Sequence, residues 1–398
     1  MIRLEVFENN LERLGSIEKY ASVSYIKQCR DAGSFTLTCM LNQKNLELLQ
    51  YQRLLWIEDD VCGIIQYIDE QRNDGDTTFT VKGKLLNEIL NWRWVFPCFV
   101  KTGQPASLME QLVDIHCINP SDVKRKFSNL VIQPSSIPNV GSITYQKTGG
   151  SVLESEINLA TANDLCFQVC FNPREQNPMK FQVYKGVDRT VGNVDGNDEV
   201  YFTQSLNNLL NSTYTYNDDA FRNVELVAGE TEDGSDNENA KRTTLEVFLN
   251  EQSKQASGFQ RKEKFVDARD LQSEYSEERV TTDEDGNQVT ETVEKKMSVE
   301  EYAGTLAQRG NEKFDESTIE ESYSGSIRTD SRTIFQYKKD YDVGDKVTII
   351  DEQFGVRMDV PITEMKVTFD KEAYTYEPTF GVAIPTINQK VKRLEKRR

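Results

Sequence analysis

The chain has 398 residues, 37% of them hydrophobic, enough apolar material for two to four separately buried cores. Its 65 acidic residues outnumber the 47 basic ones, giving a formal charge of -18; a general nucleic-acid binder, which needs a cationic footprint for phosphate, is excluded. No window approaches the roughly 20 consecutive apolar residues of a membrane helix, so a membrane-inserted helical protein is excluded too.

The amino terminus, MIRLEVFENNLERLG, lacks an apolar signal core, and synthesis in the cytoplasm without a cleaved signal is expected. Period-2 alternation follows. In SFTLTCML, Phe35, Leu37, Cys39 and Leu41 share one parity while Thr36 and Thr38 take the other. LCFQVCF (Leu165, Phe167, Val169, Phe171), KVTII (Val347, Ile349) and MKVTFD (Val367, Phe369) repeat the pattern. Successive strand side chains point to opposite faces, so these segments predict half-buried strands of mainly antiparallel sheets. Asp-Gly steps in NDGD at 73–76 and VDGND at 194–198 supply the positive φ of tight hairpins.

Helical spacing is rarer. LNQKNLELL, KLLNEILNWRW, SLMEQLVDIHC and SVLESEINLATAN place apolar residues at i, i+3 and i+4, and Ser107 and Ser151 are the expected caps of the last two. Residues 251–322 differ in character, with 19 acidic and 10 basic side chains. They predict a solvent-facing insertion of helices and one hairpin, ERVTTDEDGNQVTETVEKK, with too little apolar surface for a large core. The chain ends in KVKRLEKRR, a short basic tail.

Cys29, Cys39, Cys62, Cys98, Cys117, Cys166 and Cys170 are odd in number and show no Cys-x-x-Cys pair. They read as reduced, mostly buried thiols, with neither a disulfide framework nor a zinc site. His116 is the single histidine, so any His-dependent nucleophile, Cys117 included, must use it. Its place late in an amphipathic helix favours a structural role. Glu154, Glu156, Asp164 and Asp188 could form the paired carboxylates of a glycosidase, but 65 acidic residues make that signal unspecific. DEDGNQVTE begins like a calcium loop, yet the hairpin reading puts Val289 and Val293 on one face. Nucleotide-binding, nucleophile-elbow and zinc-protease motifs are absent. Trp92 and Trp94 could stack on sugars, although core or interface packing is the commoner use of such a pair. Asp188 and Arg189, after Gly186, fall in a turn where a carboxylate accepts backbone N–H groups and a guanidinium pairs with it. No catalytic residue, cofactor site or metal site is assigned.

The order of motifs resembles a tail-hub family of long-tailed bacteriophages, which includes the amino-terminal structural module of tail-associated lysins and fibres. The residues that carry it run from IRLEVFENNLERLGSIEKYASVSY, GSFTL and VKGKLLNEILNWRWV through LCFQVCFNP and FQVYKGVDRT. They continue in VYFTQSLNNLLNSTYTYNDDAFRNVELVAGE and end with YDVGDKVTIID and EPTFG. The resemblance implies a β-rich α+β fold with two similar β-barrels. Residues 1–100 would form the first, and 198–250 with 326–388 the second. An α/β domain at 101–197, the charged insertion at 251–325 and the tail at 389–398 complete the chain. It further implies a homotrimer, because three subunits with two barrels each offer six contacts to a hexameric tail tube. The implied neighbours are the tube or distal tail protein, a tip spike, fibre or lysin, and the tape-measure protein. DNA would be passing cargo, repelled by an acidic lumen. Since the chain stops soon after EPTFGVAIP, a short hub without its own enzyme is expected. The alternatives are a tail peptidoglycan hydrolase and a carbohydrate-binding tail-tip protein.

Overall fold

A computed structural model describes residues 2–73, 76–138, 141–231, 241–282, 288–314, 317, 319–327, 333–353, 355–370 and 374–381. The expected alternation is realised as a sheet of thirteen strands. From one edge its order runs Leu209–Asn217, Glu320–Ile327, Tyr374–Gly381, Val356–Asp370, Ser22–Gln28, Ser34–Met40 and Asp76–Leu85. It continues through Val61–Asn73, Leu54–Glu58 and Leu4–Phe7 to Arg13–Ile17. Tyr201–Thr203 and Lys346–Asp351 pair in parallel beside this path.

The two ends of the chain thus meet inside one sheet, at the antiparallel pairing of Val356–Asp370 with Ser22–Gln28. The register explains why they join. Phe369 faces Val23, Val23 faces Leu37 and Leu37 faces Val81, so one buried row crosses four strands, three of them amino-terminal and one carboxy-terminal. A slip of one residue would turn that whole row to water. Phe202, Phe380 and Tyr341 extend the same core. Among the described residues the strand path is open at both edges. The β-rich α+β class is therefore present, but two separate closed barrels are not seen. The halves are continuous through their shared pairing.

A second core lies under the amino-terminal strands. Met179–Tyr184 pairs antiparallel with Cys166–Phe171 and parallel with Leu130–Gln133. Three helices flank these cores: α1 (Gln43–Leu48), α2 (Pro105–Val113) and α3 (Val152–Ala162). α1 borders the large sheet, capped by Asn42. α2 and α3 bury Leu108, Met109, Leu112, Val113 and Leu159 against Phe167 and Phe181. Ser151 caps α3 as expected, accepting from the Glu154 N–H at 3.1 Å. Ser107 does not cap α2: the helix already begins at Pro105, whose fixed φ suits a first turn. KLLNEILNWRW forms a tighter 3-10 turn, Leu86–Trp92.

The charged segment adds α4 (Glu251–Lys254) and α5 (Val299–Phe314), the latter opened by a reciprocal Ser298–Glu301 capping box. The hairpin strands Glu274–Thr282 and Gln288–Lys296 pair as expected; their Asp-Gly turn, like that at 74–75 and the basic tail 389–398, lies outside the described residues. Val224–Thr231, expected in the second barrel with Arg242–Phe248, pairs antiparallel with that strand and parallel with Glu263–Asp267 in a separate three-stranded sheet. α5 covers that sheet with Tyr302 and Leu306. A small core thus exists, and it recruits strands from before residue 251. The 194–198 turn has the expected positive φ at Gly196, 73°, but it closes no hairpin, because the strands on either side pair elsewhere.

The thiol reading needs one correction. Cys29 and Cys166 form a disulfide across 137 positions; scattered cysteines carry no local sign of a partner that only the tertiary fold supplies. Cys39, Cys62, Cys98, Cys117 and Cys170 are free, and no metal-ligating cluster occurs among the described residues.

Candidate functional site

The side chains singled out in the sequence separate into a junction, a closed polar core and an exposed aromatic rim. At the junction Asp188 and Arg189 point to different partners. Asp188 Oδ1 accepts from the Thr190 N–H at 3.0 Å and its hydroxyl at 2.7 Å, and these bonds, the hydroxyl first, hold its pKa below the ordinary carboxylate value. Arg189 Nε donates to Asp345 Oδ2 at 2.9 Å, while Asp345 also accepts from the N–H groups of Val187 at 2.8 Å and Asp342 at 3.1 Å. Backbone bonds between Val187, Arg189 and Lys346 complete the latch.

FQVYKGVDRT and YDVGD therefore meet in space. The approach is close enough to require glycine on both sides: a Cβ on Gly186 would lie 1.8 Å from Gly344 O, and Gly344 has φ 100°. A Cβ on Gly344 would also come within 2.9 Å of Cys166 Sγ. The latch and the disulfide are one junction, tying the three-stranded α/β layer to the large sheet. Asp164 serves it as well, pairing with Arg30 at 2.7 Å. Asp345, buried and central here, is the residue sequence reasoning missed; its only signal is a Gly-Asp step directly before the KVTII strand.

Cys117 and Glu156 lie together with no exposed surface, and His116, next to Cys117 in the chain, is 2% exposed. Burial, helped by the Arg125 charge, pushes His116 down to about 4, and burial pushes the Cys117 thiol up to about 12. At neutral pH that leaves a neutral imidazole and a protonated thiol, which do not make a nucleophile. Among the described residues Glu156 has no hydrogen-bond partner for either oxygen, and burial, with the Glu110 charge, raises its pKa well above the usual value. Glu154 is spent on α3: its N–H takes the Ser151 cap and its carboxylate lies 3.8 Å from Lys147. The four carboxylates thus occupy four different structural settings.

Because the folded Glu156 holds its proton more tightly than an unfolded glutamate, it supports the fold fully below the unfolded pKa, and that support is lost as pH rises above it. Glu156→Gln should therefore match the wild type near pH 4 and be the more stable of the two at pH 8. Urea unfolding at both pH values reads this directly; a pH-independent difference would refute it.

Trp92, Trp94 and Phe96 form the rim. Arg125 donates to the carbonyls of Trp94 and Phe96, Arg93 lies 3.9 Å over the Phe127 ring, and Val95 bonds Gly149 and Gly150. The loop is fixed on both sides, yet Trp94 stays 61% and Phe96 68% exposed. The pattern is that of a preorganised contact surface.

Residues 3–382 match the family described as Siphovirus ReqiPepy6 Gp37-like protein. The chain belongs to this family. The phage-tail resemblance carried by the motifs is thereby shown, since the family is one of siphovirus proteins and the fold is that of tail proteins. The tail protein from Neisseria meningitidis MC58 is 10% identical with a TM-score of 0.54, covering 95% of both chains. The prophage MuSo2 43 kDa tail protein from Shewanella oneidensis is 10% identical, TM-score 0.53, over 95% of this chain and 98% of that one. The prophage tail protein gp18 from Listeria monocytogenes EGD-e is 12% identical, TM-score 0.53, over 99% of both. No curated protein matches the sequence. The fold is thus shared along nearly the whole chain, while almost every residue differs.

Proposed function

We propose that this chain is a structural tail-hub protein: a homotrimer that adapts the sixfold tail tube to a threefold tip or spike. The observation that carries the reading is the likeness of fold to three tail proteins over 95–99% of the chain. The junction of the two sheet halves supports it. Residues 1–100 supply one barrel-like β module, and 201–217 with 320–381 supply the second. Three subunits then offer six similar faces to a sixfold ring. Residues 101–197 brace the two modules, and 224–314 form an added unit on the side. The tube or distal tail protein lies above the hub, a spike, fibre or lysin lies below, the tape-measure protein reaches it from within the tube, and DNA passes through.

Gold-labelled antibody to this protein should mark the tail tip of intact particles, and particles lacking it should carry tubes without tips. Label along the tube would refute the reading. The hydrolase alternative predicts clearing of a peptidoglycan gel that Cys117→Ser or Glu156→Gln abolishes; the hub reading predicts no clearing by the wild type.

A further inference from the structure

Two exposed features of opposite charge remain without a role. The first is a hollow of about 350 Å³ beside the aromatic rim, lined by Phe96, Pro97, Phe99, Val100, Ile115 and Arg125 among others. Lys124 and Lys126, on either side of Arg125, are exposed and make no ion pair among the described residues. On a chain of net charge -18 this is a local cationic, aromatic face.

The second is the 191–199 loop. Its tip, Val194, is 96% exposed, with Asp195, Asp198 and Glu199 around it. It is not a slack loop. Asn193 donates to the carbonyls of Thr190 and Asn197 at 3.0 Å each, Asn197 donates to the Asp188 carbonyl at 2.9 Å, and the Gly192 N–H reaches Glu199 at 2.8 Å. An apolar tip is thus held out on a hydrogen-bonded frame, ringed by carboxylates, at the far end of the Asp188 turn.

We propose that the 191–199 loop of one copy docks into the Phe96–Arg125 hollow of the next, so that the hub closes head to tail. This rests on the trimer reading above and deepens it by naming the surfaces. The chemistry matches on three counts. The apolar tip meets an apolar hollow, the carboxylates meet Lys124, Lys126 and Arg125, and both sides are rigid before they meet, so little ordering entropy is lost. Different patches on the two partners make the contact heterologous, which closes into a ring when each step turns by a third of a circle.

The test is charge exchange read by solution mass at physiological salt. Asp195→Lys with Asp198→Lys, and separately Lys124→Glu with Lys126→Glu, change only exposed side chains. Each pair should weaken trimer formation by about 100-fold or more through like-charge contact, and the chain carrying all four changes should recover the trimer. Two monomeric pairs without recovery in the combined chain would overturn the facing of these two surfaces. If both pairs stay trimeric, the interface lies elsewhere and this inference falls while the trimer reading stands. A wild type that is monomeric at every concentration ends both. If Trp94→Ser abolishes binding to host cell-wall glycan and leaves the mass unchanged, the face is a carbohydrate site and the inference is wrong.

Discussion

Replacing Cys29 and Cys166 together by serine should lower the unfolding free energy by about 5 kcal/mol, the loop-closure entropy expected for a span of this length. The bridge joins positions 137 residues apart, so without it the unfolded chain regains a very large conformational space. Both residues are almost wholly buried, and the serine hydroxyls would add a desolvation cost. The large sheet and the α/β layer would still touch through Phe167 N–H to Cys29 O and Arg30 to Leu165 O. The fold should therefore persist with lower stability. Urea unfolding of the variant, beside the wild type with and without reductant, measures the effect; a difference below about 1 kcal/mol, little more than one ordinary hydrogen bond contributes, would mean that the two sulfurs do not share a bond.

Asp345→Ala should cost about 3 to 5 kcal/mol, the range for breaking a buried ion pair by removing one partner. Its carboxylate accepts from Val187, Arg189 and Asp342 together, and the alanine would leave a guanidinium and two N–H groups facing each other across the junction. Asp188→Ala, one residue from Arg189, should cost only about 1 kcal/mol, because it loses bonds to Thr190 within its own turn. A double-mutant cycle with Arg189→Leu should return a coupling of roughly 1 to 3 kcal/mol with Asp345 and near zero with Asp188. Equal costs at the two aspartates would show that the latch does not hold the modules together.

The disulfide and the Asp345 latch both join positions far apart in the chain. Alternation found the strands at 34–40, 166–171 and 365–370 because each has one face in a core and one toward polar surroundings. Ser151 announced its helix because capping is a local act. Asp188 and Arg189 are expected in a turn and paired with each other, but Asp188 instead bridges to Lys346 in extended backbone, and Arg189 takes Asp345, 156 positions away, over the nearer carboxylate. The disulfide failed for the same reason. Closed barrels were expected from the resemblance, and no local pattern could reveal that Val367 would pair with Tyr25 and run the two halves into one sheet. The sealed state of His116 and Cys117 was half legible: apolar neighbours predicted burial, but not the unpartnered Glu156 beside them.

The hub account turns on one quantity, the number of chains in the free particle and their symmetry. Light scattering of the purified protein, with class averages of the same sample in negative stain, measures both. The account predicts three times the chain mass and a ring with six similar densities around a threefold axis. A particle of three chains without that pseudo-sixfold pattern, or a stable dimer, would contradict it.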